Sequence, residues 1–125
     1  MGNNGFCVLV VDDSLIVVER IIRLLKEHEY IDSVLSAVNY DQAQDVLSNH
    51  EVNIALLDIN MPGKNGIELL LYIKSNHPSV INIMLTNQSE DHYREMCDRL
   101  GANFFLDKTS EFEKVPDLIR ECYIA

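Results

Sequence analysis

The sequence predicts an α/β domain, a five-stranded parallel sheet with five helices wound on both of its faces. Three observations lead there. Short apolar runs flanked by turn signals recur along the chain, as strands buried on both faces require. Segments with apolar residues at helical spacing alternate with those runs, and that alternation gives right-handed βαβ units and a parallel sheet. The 125 residues are 47% hydrophobic, enough for one core and too apolar for a disordered tail.

The first strand is Phe6–Val11, Phe-Cys-Val-Leu-Val-Val, and it stops at Asp12-Asp13-Ser14. Leu15, Val18, Ile22 and Leu25 then recur at helical spacing, with Glu19, Arg20, Arg23 and Lys26 between them. Asp13 or Ser14 caps this helix, which ends near His28. Residues 31–38 read as a shorter strand and residues 41–48 as a short helix with Ala43, Val46 and Leu47 on one side. The run Asn53-Ile54-Ala55-Leu56-Leu57-Asp58 is the third strand, ending in a carboxylate just before the Met61-Pro62-Gly63 turn. Gly66–Asn76 is a helix with Ile67, Leu70, Leu71 and Ile73 apolar and Pro78 just past its end. Residues 80–86 form the fourth strand, closed by Thr86 and followed by Asn87-Gln88-Ser89. Residues 91–100 form a polar helix with Gly101 at its C-terminal cap. Its charges, Glu90, Asp91, Arg94, Glu95, Asp98 and Arg99, read as a solvated face. Residues 103–107 are the fifth strand, and Lys108 follows it. Pro116 would break a helix running straight from Ser110. A turn over 111–114 is therefore expected, then a helix over 116–123 with Pro in its first position and Leu118, Ile119 and Cys122 toward the core.

Composition narrows the functions available. The net charge of −10 argues against nucleic acid, whose phosphates need Lys and Arg, and against anionic membrane surfaces. It favours a cationic partner or a bound metal. No apolar run approaches the roughly 20 residues of a membrane span, and the first residues are too short and polar for a signal peptide. Cys7, Cys97 and Cys122 are far apart, form no CxxC pair and sit in apolar patterns. They read as small core residues in a reducing cytoplasm. His28, His50, His77 and His92 are scattered over loops and helix ends and read as surface residues.

Chemistry concentrates at the strand ends. Asp12-Asp13, Asp58, Thr86 and Lys108 each close a strand, and in a parallel sheet such ends share one edge, where ligands bind in open α/β sheets. Carboxylates about 4–6 Å apart repel by roughly 3–4 kcal/mol per pair at an effective dielectric near 20. Left alone, at least one would take up a proton. A divalent cation removes the conflict, and oxygen ligands with open water positions suit Mg²⁺. Metal, lysine and hydroxyl together bind phosphoryl oxygens, with Asp58 the natural nucleophile.

These residues carry a resemblance. Val11-Asp12-Asp13-Ser14, the Asp-x-x-Met-Pro-Gly-x-x-Gly segment from Asp58 to Gly66, Thr86 and Asp107-Lys108 resemble, in order and spacing, a response-regulator receiver domain of two-component signalling. The resemblance covers one domain, residues 6–123, and implies a flavodoxin-like strand order 2-1-3-4-5. It implies that Asp58 accepts phosphate from a phosphohistidine on a sensor histidine kinase or a histidine phosphotransfer protein. Asp13, Asp58 and the backbone carbonyl of Asn60 would hold Mg²⁺ (or Mn²⁺), with Asp12 helping through water. Thr86 and Lys108 would bind phosphoryl oxygens. Thr86 and Phe105 would switch together and remodel the face made by the fourth helix, fifth strand and fifth helix, which a downstream protein reads. Such a protein is a phosphorylation switch, not an enzyme beyond its own phosphorylation and dephosphorylation, and it works in the cytoplasm. The chain runs only to Ala125, so the expectation is a freestanding regulator or relay shuttle without a DNA-binding output domain.

The sequence also departs from the family pattern. Asn87 stands where relatives carry a small residue, and it would shield the acyl phosphate. Asn60 and Gln88 fill the two positions that steer the hydrolytic water, and neither is a strong base, so slow self-dephosphorylation is expected. Thr109, not Pro, follows Lys108, which disfavours a cis bond there, and Phe105 lacks a tyrosine's hydroxyl. Phe104 and Phe105 point to opposite faces of their strand, one of them plain core. Two rival readings are a haloacid-dehalogenase-like phosphatase and a receiver that binds partners without phosphorylation. The first normally needs an acid two residues after the nucleophile, where this chain has Asn60. The intact acids, Thr86 and Lys108 speak against the second.

Overall fold

The computed structural model describes residues 5–87 and 92–124. Five strands, β1 (Phe6–Val11), β2 (Ile31–Ala37), β3 (Ile54–Asp58), β4 (Ile81–Thr86) and β5 (Phe104–Asp107), form one sheet in the order β2-β1-β3-β4-β5. Every neighbouring pair is parallel. The helices are α1 (Leu15–Lys26), α2 (Tyr40–Asn49), α3 (Gly66–Asn76), α4 (Arg94–Arg99) and α5 (Val115–Ile124). The expected architecture and strand order are both present.

Side-chain alternation along the strands builds two cores. Leu9, Val11, Ala55, Leu57 and Met84 face one side, under Ala43 and Leu47 of α2, Leu69, Leu70 and Ile73 of α3, and Cys97 of α4. Val8, Val10, Ile54, Leu56 and Ile83 face the other, under Val18, Ile21 and Leu25 of α1 and Val115 and Ile119 of α5. All of β3 is buried, as a central strand covered on both faces must be. No helix among the described residues is long and apolar enough to cross a membrane.

Helix phase differs from the sequence reading in two places. Leu15 is 64% exposed, because it opens α1 beyond the strand ends, where there is no sheet to cover it; Ile21 joins Val18 and Leu25 in the buried stripe instead. Leu71 is 46% exposed, and the buried stripe of α3 is Gly66, Leu69, Leu70 and Ile73. Residues 69–71 are three consecutive leucines, and at 100° per residue they cannot all face the sheet.

Helix ends follow local hydrogen bonding. Ser14 caps α1 by accepting from the Val17 amide, and Asn39 caps α2 by accepting from the Gln42 amide. Asn65 and Glu68 form a reciprocal capping box on α3, which Asn-x-x-Glu could have announced. Gly101, at φ +100°, closes α4 through its amide to the Asp98 carbonyl. Helix α4 starts at Arg94 after a short 3-10 turn at His92 and Tyr93, later than expected. A 3-10 turn at Phe112–Lys114 leads straight into α5, so Pro116 is its second residue and still within the first turn. No peptide bond of the described residues is cis, the Lys108–Thr109 bond included.

Candidate functional site

Asp12 lies just beyond β1 and extends the ladder, its amide donating to the Ala37 carbonyl at 3.1 Å. It is fully buried. Its Oδ1 accepts from the Ser14 amide at 2.9 Å and so starts α1, which turns Oδ2 toward the sheet edge. Asp13 follows and is exposed. Asp58 is the last residue of β3 and is 1% exposed. Its strand then turns sharply. The Ile59 amide donates to Leu85 O at 3.3 Å, and the Gly66 amide donates back to Ile59 O at 3.0 Å. Buried Met61 anchors the loop, and Gly63 takes φ +76°. Gly66 sits so close that a Cβ there would lie 2.1 Å from the Asp58 carbonyl oxygen.

Thr86 closes β4 and is 1% exposed, its Oγ1 donating to the Asn87 carbonyl at 3.0 Å. Lys108 hangs from the same point, because its amide donates to the Thr86 carbonyl at 2.7 Å. Its Nζ reaches Asp12 Oδ2 at 2.8 Å and Asp58 Oδ1 at 2.9 Å, and its side chain is 12% exposed. Carboxylate oxygens of Asp12, Asp13 and Asp58 lie within 4.8 Å of one another, and no other such group occurs among the described residues.

The electrostatics is unbalanced. Burial pushes the Asp58 carboxyl up to about 7; the hydrogen bond from Lys108 opposes this, and the charges of Asp12 and Asp13 add to it. Burial works against the Lys108 ammonium as well, but its hydrogen bonds to Asp12 and Asp58 outweigh that and hold its pKa above the usual lysine value. Asp12 Oδ2 and Asp58 Oδ1 are buried, and the Lys108 ammonium is the partner that each of them faces. An oxygen-only donor set, short of positive charge, fits a hard divalent cation.

Of the remaining predicted residues, Asn60 and Asn87 are exposed, and Gln88 falls outside the described residues. Phe104 packs with the α1 and α5 side, and Phe105 with the side of α3 and α4. The histidines expected at the surface contribute nothing to the acid group. Arg94 is not simply part of a solvated face: its guanidinium lies 4.5 Å over the Phe105 ring, and Nη1 donates to the Phe105 carbonyl at 3.3 Å. A cation–π contact between α4 and β5 leaves no periodic trace in a sequence.

Comparison with known proteins gives a consistent picture. The family model described as the response regulator receiver domain matches residues 8–120. The transcriptional regulatory protein MalR of Bacillus subtilis is 35% identical over 107 residues, covering 86% of this chain and 46% of that protein. Protein CcdB of Bacillus subtilis is 33% identical over 112 residues, covering 90% of this chain and 92% of its own length. The chain spans about half the length of the first curated relatives it matches, 46%, 54% and 49% of three of them. Among solved structures, the response regulator TrrA of Thermotoga maritima, in complex with Mg(2+)-BeF, superposes with a TM-score of 0.81 at 26% identity, covering 93% of this chain and 97% of that one. The signal receiver domain of an HD domain-containing protein from Pseudomonas fluorescens gives 0.86 at 22% identity, covering 99% and 90%.

Proposed function

The chain belongs to the response regulator receiver domain family of two-component signalling, and from that premise we propose that Asp58 is its phosphoacceptor. The observation that carries the proposal is the ion-pair geometry: one ammonium at 2.8 and 2.9 Å from two buried carboxylates, with a third acid beside them. Asp58 attacks the phosphorus of a phosphohistidine on a kinase or phosphotransfer protein. The new Oδ–P bond forms as the P–N bond breaks, and the imidazole leaves with its electron pair and takes a proton. Lys108 moves from carboxylate to phosphoryl oxygen, since the charge that Asp58 carried now sits on the phosphate. Thr86 offers its hydroxyl to a second phosphoryl oxygen. Asp13, Asp58 and the Asn60 carbonyl would hold Mg²⁺ or Mn²⁺, with Asp12 acting through water. When bound, the cation neutralises charge on the acids and on the phosphoryl oxygens.

Movement of Thr86 toward the phosphate frees room for Phe105, and the α4–β5–α5 face changes shape for a downstream protein. This is a two-state element biased by new charge at one end. The experiment is incubation with acetyl phosphate and Mg²⁺. One phosphoryl group enters per chain, and Asp58→Asn takes none. Continuous turnover of a generic phosphate ester would point instead to a phosphatase. Failure to take up beryllofluoride with Mg²⁺ would point to a receiver that works unphosphorylated.

A further inference from the structure

Lys108 sits on a loop with its own wiring. Asp107, the last residue of β5, bends the chain back with a single oxygen: its Oδ1 accepts from the Thr109 amide at 2.7 Å, the Thr109 hydroxyl at 2.6 Å and the Ser110 amide at 3.2 Å. Glu111 closes the loop from the far side. Its Oε1 accepts from the Asp107 amide at 3.0 Å, its own amide donates to the Asp107 carbonyl at 2.9 Å, and its Oε2 pairs with Lys114 at 3.1 Å. Both carboxyls are held below their usual ranges: Asp107 by its bonds from Thr109 and then Ser110, Glu111 by the Asp107 amide and then Lys114. Between them lies Lys108, its amide fixed to Thr86 and its Nζ inside the acid cluster.

We propose that Asp107 and Glu111 are positioning residues for the reaction at Asp58, a two-carboxylate brace that sets the Lys108 backbone so that its ammonium reaches Asp12 and Asp58. The loop carries exposed Thr109 and Ser110 and no proline to fix its path. Side-chain acceptors therefore do what a rigid ring would otherwise do. Thr109 is tied in twice, its hydroxyl and its amide both ending on the same oxygen of Asp107. Without that oxygen three donors lose their partner, and the loop following β5 can sample other paths. An ammonium misplaced by about 1 Å can lose on the order of a hundredfold in a reaction it assists.

The inference rests on the reading of Lys108 as the phosphate-binding cation, and the test separates the two. Labelling rates with acetyl phosphate and Mg²⁺ are measured for wild type, Lys108→Ala, Asp107→Ala, Asp107→Asn, Glu111→Ala and the double variant Asp107→Ala/Lys108→Ala. If Lys108→Ala labels like wild type, the proposed function of Lys108 is wrong and the brace with it. If Lys108→Ala is slow, the brace requires four results. Asp107→Ala and Glu111→Ala are each slowed by about tenfold. Asp107→Asn, which keeps the Oδ1 acceptor, stays within about threefold of wild type. The double variant is no slower than Lys108→Ala, because the brace acts only through that lysine. In metal-free protein, amide exchange at Thr109 and Ser110 rises in Asp107→Ala and not in Lys108→Ala. Additive effects in the double variant, or normal labelling in Asp107→Ala and Glu111→Ala, overturn the proposal. Should Asp107→Ala fail to fold, Glu111→Ala and its double variant with Lys108→Ala decide it on the same criteria.

Discussion

Gly66→Ala should damage this protein badly, and the sign of the effect is diagnostic. Gly66 opens α3, where helix propensity alone favours alanine by about 1 kcal/mol. The structure predicts the opposite. A Cβ at this position would lie 2.1 Å from the Asp58 carbonyl oxygen, 2.8 Å from its carbon and 3.0 Å from Ile59 Cα. Non-bonded carbon and oxygen rest at about 3.3 Å, so the helix or the strand end has to shift by about 1 Å. All three opposing atoms are backbone, and no side chain can rotate away to make room. Overpacking costs about 1–3 kcal/mol, and this case belongs at the top of that range. For a domain of this size about 3 kcal/mol is a fall in Tm of about 10–15 °C. Gly63→Ala is the control. Gly63 needs the left-handed conformation at φ +76° but has nothing within 4 Å, so alanine there costs about 1–2 kcal/mol of backbone strain and no packing. Urea and thermal unfolding of both variants, with acetyl phosphate labelling alongside, check the ranking. A Gly66→Ala protein no less stable than Gly63→Ala, or one that labels at the wild-type rate, would refute the reasoning.

The remaining predictions concern charge and hydrolysis. Burial, with Asp12 and Asp13 adding and Lys108 opposing, raises the Asp58 pKa to about 7 in the fold, above its unfolded value. The contribution of Asp58 to metal-free stability is therefore full below about pH 4 and lost as pH rises through about 7. Thermal scans in chelator should show Tm falling from pH 5 to pH 8, and Asp58→Asn should flatten that slope; an equal slope in the variant counts against it. Asp13→Asn removes the exposed member of the acid group, so the rise in Tm on adding Mg²⁺ at pH 8 should shrink by more than half. Persistence of the full rise would take Asp13 out of the metal site. The exposed Asn87 is predicted to shield the acyl phosphate, and Asn87→Ala should shorten the phosphorylated lifetime in a labelled-phosphate decay assay. An unchanged lifetime rejects that role, and a wild-type lifetime of seconds rejects the expectation of slow self-dephosphorylation.

Much of the fold was legible because burial writes a period into the chain. The five apolar runs and the intervening helical spacing locate all ten elements within a few residues. Strand order is another matter. Nothing in the periodicity of β1 says that it lies between β2 and β3, and the order came from family resemblance. Period also fails where apolar residues are consecutive. Leu69-Leu70-Leu71 fits more than one helical phase, and only the sheet beneath decides that Leu71 is the one exposed. At the site, the residue types were readable because each closes a strand, while their contacts were not. That Lys108 bridges Asp12 and Asp58, that Arg94 lies over Phe105 and that Glu111 holds the Asp107 amide are meetings set by three-dimensional packing. The Asp107 turn is the exception. An Asp followed two residues later by Thr is a known turn signal, and Asp107-Lys108-Thr109 displays it.

The charge count explains why such a site is tolerated and what it is suited to receive. Three carboxylates and one ammonium sum to −3 + 1 = −2 when all are ionised. Two of the acids are almost wholly buried, and each buried ion costs several kcal/mol before pairing. The total stability of a domain is only about 5–15 kcal/mol, so a core less complete than the fully buried β3 could not carry that load. A divalent cation brings the sum to −2 + 2 = 0. Under the proposed function, an incoming phosphoryl group, itself strongly negative, would then approach Asp58 without net repulsion. The same imbalance that opposes ionisation of Asp58 is what a divalent cation would relieve.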